Sequence, residues 1–127
     1  MKKLLLIIAI LLIAVPASGK HLHSEKFYQD AWCDARHGET EVVLPDKTRV
    51  DCVTKCYACE MDFSTKWAEA VGQALYYAAM TGKRAGIVLI MENPEKDQKY
   101  LDRLNKLIEY HCLDITIWTI RPDKKLK

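Results

Sequence analysis

The chain has 127 residues, 50% of them hydrophobic and 28% charged, with 5 glycines, 4 prolines and 5 cysteines. That balance excludes a low-complexity, collagen-like or disordered chain, and the length is one domain's worth. A formal net charge of +2 lacks the overall basic footprint of many nucleic-acid binders.

Met1, Lys2 and Lys3 open the chain with positive charge. Leu4 to Val15 is an unbroken apolar run, and the small or helix-breaking Pro16, Ala17, Ser18 and Gly19 follow. This order predicts a secretory signal peptide over residues 1–19, cut after Gly19 or Ala17. A retained membrane anchor is the alternative, but the run is shorter than the ~20 residues needed to span a bilayer. The expectation is therefore an exported protein, periplasmic or secreted, with no stable membrane association after cleavage. The chain has 19 Lys and Arg against 17 Asp and Glu. Lys2 and Lys3 leave with the leader, so the mature domain is expected to be neutral.

One α/β domain is expected over residues 20–122, followed by a polar tail over 123–127. Ser24 to about Ala35 has helical composition, with Phe27, Ala31 and Trp32 or Cys33 on its apolar side. Glu41 to Leu44 and Thr48 to Val53 read as a hairpin about the Pro45-Asp46-Lys47 turn. Tyr57 to Phe63 alternates, with Tyr57, Cys59, Met61 and Phe63 on one side and Ala58, Glu60 and Asp62 on the other. Ser64 or Thr65 is placed to cap a helix running to about Met80 and ended by Thr81-Gly82. Its expected buried stripe is Trp67, Val71, Ala74, Leu75 and Ala78. Gly86 to Met91 is a continuous apolar run, the mark of a strand covered on both faces. Asn93-Pro94 opens a second long helix to about His111, with Leu101, Leu104, Leu107 and Ile108 apolar. Ile115 to Ile120 is the last strand, parallel to the one before the helix. The sum is α-β-β-β-α-β-α-β: a mixed sheet flanked by helices.

The cysteines are Cys33, Cys52, Cys56, Cys59 and Cys112. An odd count leaves at least one thiol unpaired in a monomer. Cys52, Cys56 and Cys59 lie close in sequence, but three thiols without a fourth nearby ligand argue poorly for zinc. Buried or disulfide-bonded cysteines are expected instead. His21, His23, His37 and His111 form no pairing with a nucleophile.

Three carboxylates converge in this arrangement. Asp51 falls near the end of the second strand, and Glu60 and Asp62 share a face of the third. Glu41 on the first strand is a fourth candidate. Crowded acids on a covered sheet face are costly unless paired or metal-bound, and oxygen ligands of this kind suit Mg²⁺ or Mn²⁺. The alternative is a half-exposed sheet whose outer face is simply acidic. On the following helix, Lys66, Glu69, Gln73 and Tyr77 fall within one arc of about 80°, read as opposite the buried stripe.

Asp51, eight residues, then Glu60-Met61-Asp62 resembles the PD-(D/E)xK nuclease signature, and Gln73 with Tyr77 resembles the QxxxY motif of its RecB-like branch. The element order is similar to the αβββαβ core of that restriction-endonuclease-like superfamily. The stretches Arg49 to Cys52, Lys66 to Ala70, Thr81 to Arg84 and Gly86 to Ile90 also resemble a group of small bacterial and phage proteins.

The resemblance implies a Mg²⁺- or Mn²⁺-dependent hydrolase of phosphodiester bonds, acting on nucleic acid, DNA ahead of RNA. It implies Asp51 and Glu60 as metal ligands, with Glu41 (or, in its place, Glu39) as the upstream acid. Gln73 and Tyr77 would steady the site and contact the substrate backbone. The chain departs from the family at Asp62, which stands where the family has lysine. Lys66, read as lying one turn into the helix, is the candidate to supply that amine. Without it, the same fold would serve as a catalytically inactive binding module.

Overall fold

In the computed structural model, residues 19–122 are described. All but Gly19 of the expected leader and the expected polar tail over 123–127 lie outside them. Among the described residues, no helix is long and apolar enough to cross a membrane.

The elements come in the expected order. They are α1 (Glu25–Asp34), β1 (Glu39–Val43), β2 (Arg49–Val53), β3 (Tyr57–Phe63), α2 (Trp67–Thr81), β4 (Arg84–Ile90), α3 (Pro94–Tyr110) and β5 (Ile115–Ile120). The five strands form one sheet in sequence order. β1, β2 and β3 pair antiparallel, and β3, β4 and β5 pair parallel. The parallel strands need crossovers, which α2 and α3 supply.

Helix ends follow local chemistry. Ser24 caps α1 by accepting from the Phe27 N–H, and Asn93 caps α3 by accepting from the Lys96 N–H. Gly82 ends α2 at φ 68°, where a side chain is disfavoured. The start of α2 departs from expectation. Ser64–Lys66 forms a 3₁₀ turn, the helix begins at Trp67, and no side chain caps it.

The sheet is covered on both faces. Tyr28, Trp32 and Cys33 of α1 pack against Cys52, Cys59, Met61, Val88, Ile90 and Ile120. On the opposite face Ala70, Val71 and Ala74 of α2 and Leu104 of α3 pack against Ala85, Ile87, Leu89 and Ile115. Two stripes differ from expectation. On α1, Tyr28 is buried beside Trp32, while Phe27 is 53% exposed. On α2 the buried set is Ala70, Val71, Ala74 and Tyr77, and Leu75 turns outward. Tyr77 instead enters a small cluster with Leu44, Val50 and Ala58.

A disulfide joins Cys33 of α1 to Cys52 of β2. Gly38 makes room for it, since a Cβ there would lie 2.6 Å from the Cys33 sulfur and 2.8 Å from that of Cys52. Cys56, Cys59 and Cys112 are free, and Cys59 is buried.

A buried acid cluster between β2, β3 and α1

β3 alternates as its sequence predicts. Cys59 and Met61 enter the core beneath α1, and Ala58 packs on the opposite side with Tyr77. The same pleat puts Glu60 and Asp62 on the Ala58 side, and both are only 5% exposed. That burial excludes the solvent-washed acidic face.

Asp51 reaches them across the strand pair. The β2–β3 ladder pairs Cys52 with Cys59, so Asp51 falls opposite Glu60. There the Met61 N–H donates to Asp51 Oδ2 at 2.8 Å. The Asp51 carboxylate thus takes a backbone donor of β3. Glu60 Oε2 is buried with no hydrogen-bond partner, an uncompensated desolvation cost.

Crowding sets the protonation of the group. Burial, then the charges of Asp51 and Asp62, push the Glu60 carboxyl far above the ordinary carboxylate range. Burial also raises Asp51, against the pull of the Met61 N–H. Of the two, Glu60 is the more strongly raised, so the proton resides on Glu60 beside the Asp51 carboxylate. Burial and the nearby Glu25 push Asp62 up to about 7, while Lys66 works in the other direction.

Glu25 is the member that sequence reasoning missed. As the first residue of α1 it is raised by burial, lowered chiefly by Lys66, and it acts in turn on Asp62, Asp51 and Glu60. A glutamate just after a capping serine reads as a complement to the helix dipole, so only the tertiary fold reveals it.

Glu41 sits differently. Its φ of 56° is unusual within a strand. Its oxygens are held by Gln29 at 2.7 Å and Arg49 at 3.0 Å. The Gln29 bond, then Arg49, lower its pKa against burial. Glu39, at the start of β1, is exposed.

From α2, Tyr77 is raised by burial, lowered by the nearby Gln73 side chain, and raised again by Glu60 and Asp51. The row of Lys66, Glu69, Gln73 and Tyr77 therefore runs along the margin of the buried stripe, not opposite it. Lys66 stands at the end of the 3₁₀ turn before α2, not one turn into the helix, and its side chain is exposed. Its charge acts on Glu25 and Asp62.

Beside the cluster, Glu92 after β4 secures the segment leading into α1. It accepts from Leu22 N, His23 N and Tyr28 Oη and lies 2.9 Å from His21 Nδ1. The His21 ring stacks on Phe63 at 3.5 Å, one residue beyond Asp62.

The donors are hard oxygens, and the unpartnered Glu60 Oε2 is the kind of atom that a hard divalent cation satisfies. As the side chains stand, they do not close round one point. Among the described residues, no three His, Cys, Asp or Glu side chains are gathered as a coordination group. Comparisons with protein-family models, with curated proteins and with solved structures find no match to this chain.

Proposed function

We propose that the protein is an exported, Mg²⁺- or Mn²⁺-dependent nuclease with a restriction-endonuclease-like αβββαβ core. The observation that carries this reading is the burial of Glu60 and Asp62 beside a half-buried Asp51, together with an unpartnered carboxylate oxygen. Like charges are not packed this way for stability, because each raises the cost of ionising the others. A functional need for concentrated negative charge accounts for the expense. The strand order, with two antiparallel pairings followed by two parallel ones, agrees with the proposed core.

Asp51 and Glu60 would hold the cation, with Glu25 beside them and Glu41 bracing α1 to β2 through Gln29 and Arg49. A bound cation of this class polarises a phosphoryl oxygen and lowers the pKa of water. Asp51 is oriented by the Met61 N–H. Glu60 must give up its proton before it can ligate. Gln73 and Tyr77 line the α2 side, where they would contact the backbone of a nucleic acid, DNA ahead of RNA. Lys66 would offset negative charge developing at the phosphate.

One observation favours a second reading, a nuclease fold that binds without cutting: Asp62 occupies the position where the family has lysine. A single experiment separates the two. Purified residues 20–127 are incubated with mixed DNA and RNA in Mg²⁺, in Mn²⁺ and in chelator. Metal-dependent cleavage, lost in Asp51→Asn and Glu60→Gln, is the expected result. Protein that neither binds Mn²⁺ nor cuts any substrate removes the enzyme.

A further inference from the structure

A second feature lies at the other end of β3. A groove of about 340 Å³ is lined by Trp32, Arg36, Lys55, Cys56, Tyr57 and Trp118. Asp62 lies five positions further along β3, about 17 Å away, and the groove opens on the α1 face of the sheet, opposite the face that carries Glu60 and Asp62.

The groove combines flat rings with cations. The Arg36 guanidinium lies 3.9 Å from the Trp32 ring centre, and that of Arg84 lies 5.1 Å from Tyr57. Trp118 meets Tyr57 edge-on at 4.9 Å. Gly86 leaves the space in which the indole lies, since a Cβ there would come within 2.8 Å of it. The rings are therefore fixed in place rather than collapsed onto one another. Trp118 and Tyr57 remain half-buried, and Lys55 is exposed. Lys83 reaches across to the Lys55 carbonyl at 2.9 Å, which adds its charge to the same rim. Among the described residues no carboxylate lines the groove; Asp114, 3.7 Å from Arg84, is the nearby acid.

We propose that this groove binds single-stranded nucleic acid, stacking bases on Trp118 and Tyr57 while Arg36, Lys55 and Lys83 take backbone phosphates. Fixed aromatic faces within a cationic rim are the physical requirement for sequence-tolerant binding of unpaired strands. An acidic peptide would use the cations but not the rings. The inference rests on the nucleic-acid reading of the acid cluster, and it places a second contact at the other end of β3 and on the opposite face of the sheet.

The test is fluorescence anisotropy of a labelled oligothymidylate of about twelve nucleotides with residues 20–127, in chelator so that nothing is cut. Trp118→Ala is expected to weaken binding ~10-fold through lost stacking. Arg36→Ala and Lys55→Ala should each reduce the slope of log affinity against log salt by about one. Trp118 packs within the core margin, so Lys55→Glu, at an exposed position, keeps the test valid if the tryptophan variant fails to fold. Lys55→Glu and Arg36→Ala that both bind as wild type would overturn the proposal, as would polyglutamate competing as well as unlabelled oligothymidylate. Groove-dependent binding without Mn²⁺-dependent cleavage would support the groove and remove the nuclease. Cleavage with binding indifferent to Lys55 and Arg36 would do the reverse.

Discussion

Asp51 accepts the Met61 N–H at 2.8 Å, so a side chain of β2 holds a backbone group of β3 beside Glu60. The bond fixes one Asp51 oxygen and leaves the other among acids. The folded chain there retains protons that the unfolded chain has released. For these raised carboxyls the stabilising contribution is whole below about pH 4, the unfolded range. It is lost as pH rises through the Asp62 value of about 7. Glu41 and Glu92 are lowered instead, so their contribution is lost below about pH 4, outside this window. In chelator, the Tm of the protein should therefore fall by about 5 °C or more between pH 5 and pH 8. Asp62→Asn should flatten that slope. Glu60→Gln should change Tm little at pH 7, where Glu60 carries its proton. A Tm that rises over the window in wild type would contradict the protonation pattern.

Much of the cluster was legible because β3 is regular. A strict two-residue alternation fixes which side chains share a face, so Glu60 and Asp62 were paired from the sequence, and one hairpin brought Asp51 across. Lys66 and Tyr77 were harder. The helix begins later than Ser64 suggests, and the buried arc is rotated toward Tyr77 and away from Leu75. On α1, Phe27 and Tyr28 compete for one inward position, and composition does not choose between them. The Cys33–Cys52 pairing was not readable, since spacing alone does not determine connectivity. Glu25 depends on where α1 crosses the sheet, which no local pattern encodes.

The contrast between Glu25 and Glu41 can be measured. Both oxygens of Glu41 are engaged by Gln29 and Arg49, whereas Glu25 faces Asp62 and Lys66. Glu25→Gln should weaken Mn²⁺ binding ~10-fold by removing a charge from the site. Glu41→Gln should leave the affinity within about threefold and lower stability by ~1 kcal/mol through its lost charge-assisted bonds. Calorimetric titration beside thermal melts reads both. Equal losses of affinity would assign the two acids the same role.

The cysteines give a stepwise count. Cys56 and Cys112 are exposed and free, and Cys59 is buried, its thiol pushed up to about 12 by burial. Native protein should react with a thiol reagent at two positions. Denatured protein should react at three, and denatured and reduced protein at all five cysteines. Cys33→Ala with Cys52→Ala should cost ~3 kcal/mol, as expected for a loop of this length. It should also weaken Mn²⁺ binding, because the disulfide joins the helix bearing Glu25 to the strand bearing Asp51. Five reactive thiols without reductant would overturn the pairing.

Lys66 decides between the two readings of the fold. Its ammonium lowers both Glu25 and Asp62, and it stands at the N-terminal end of α2 beside the acid face. An ammonium does not ligate a metal ion, so Lys66→Ala should leave Mn²⁺ affinity near wild type. If the amine offsets charge on the phosphate, its loss should cost on the order of 10² to 10³ in rate. Lys66→Arg should recover part of that loss, because the charge is kept although its shape changes. Removing Lys66 also lifts its restraint on Asp62, whose carboxyl rises further, so the fall of Tm with pH should extend to higher pH in the variant. That shift checks proximity independently of activity. Cleavage unchanged in Lys66→Ala, with the pH shift present, would keep the lysine beside the acids but deny it a part in the chemistry.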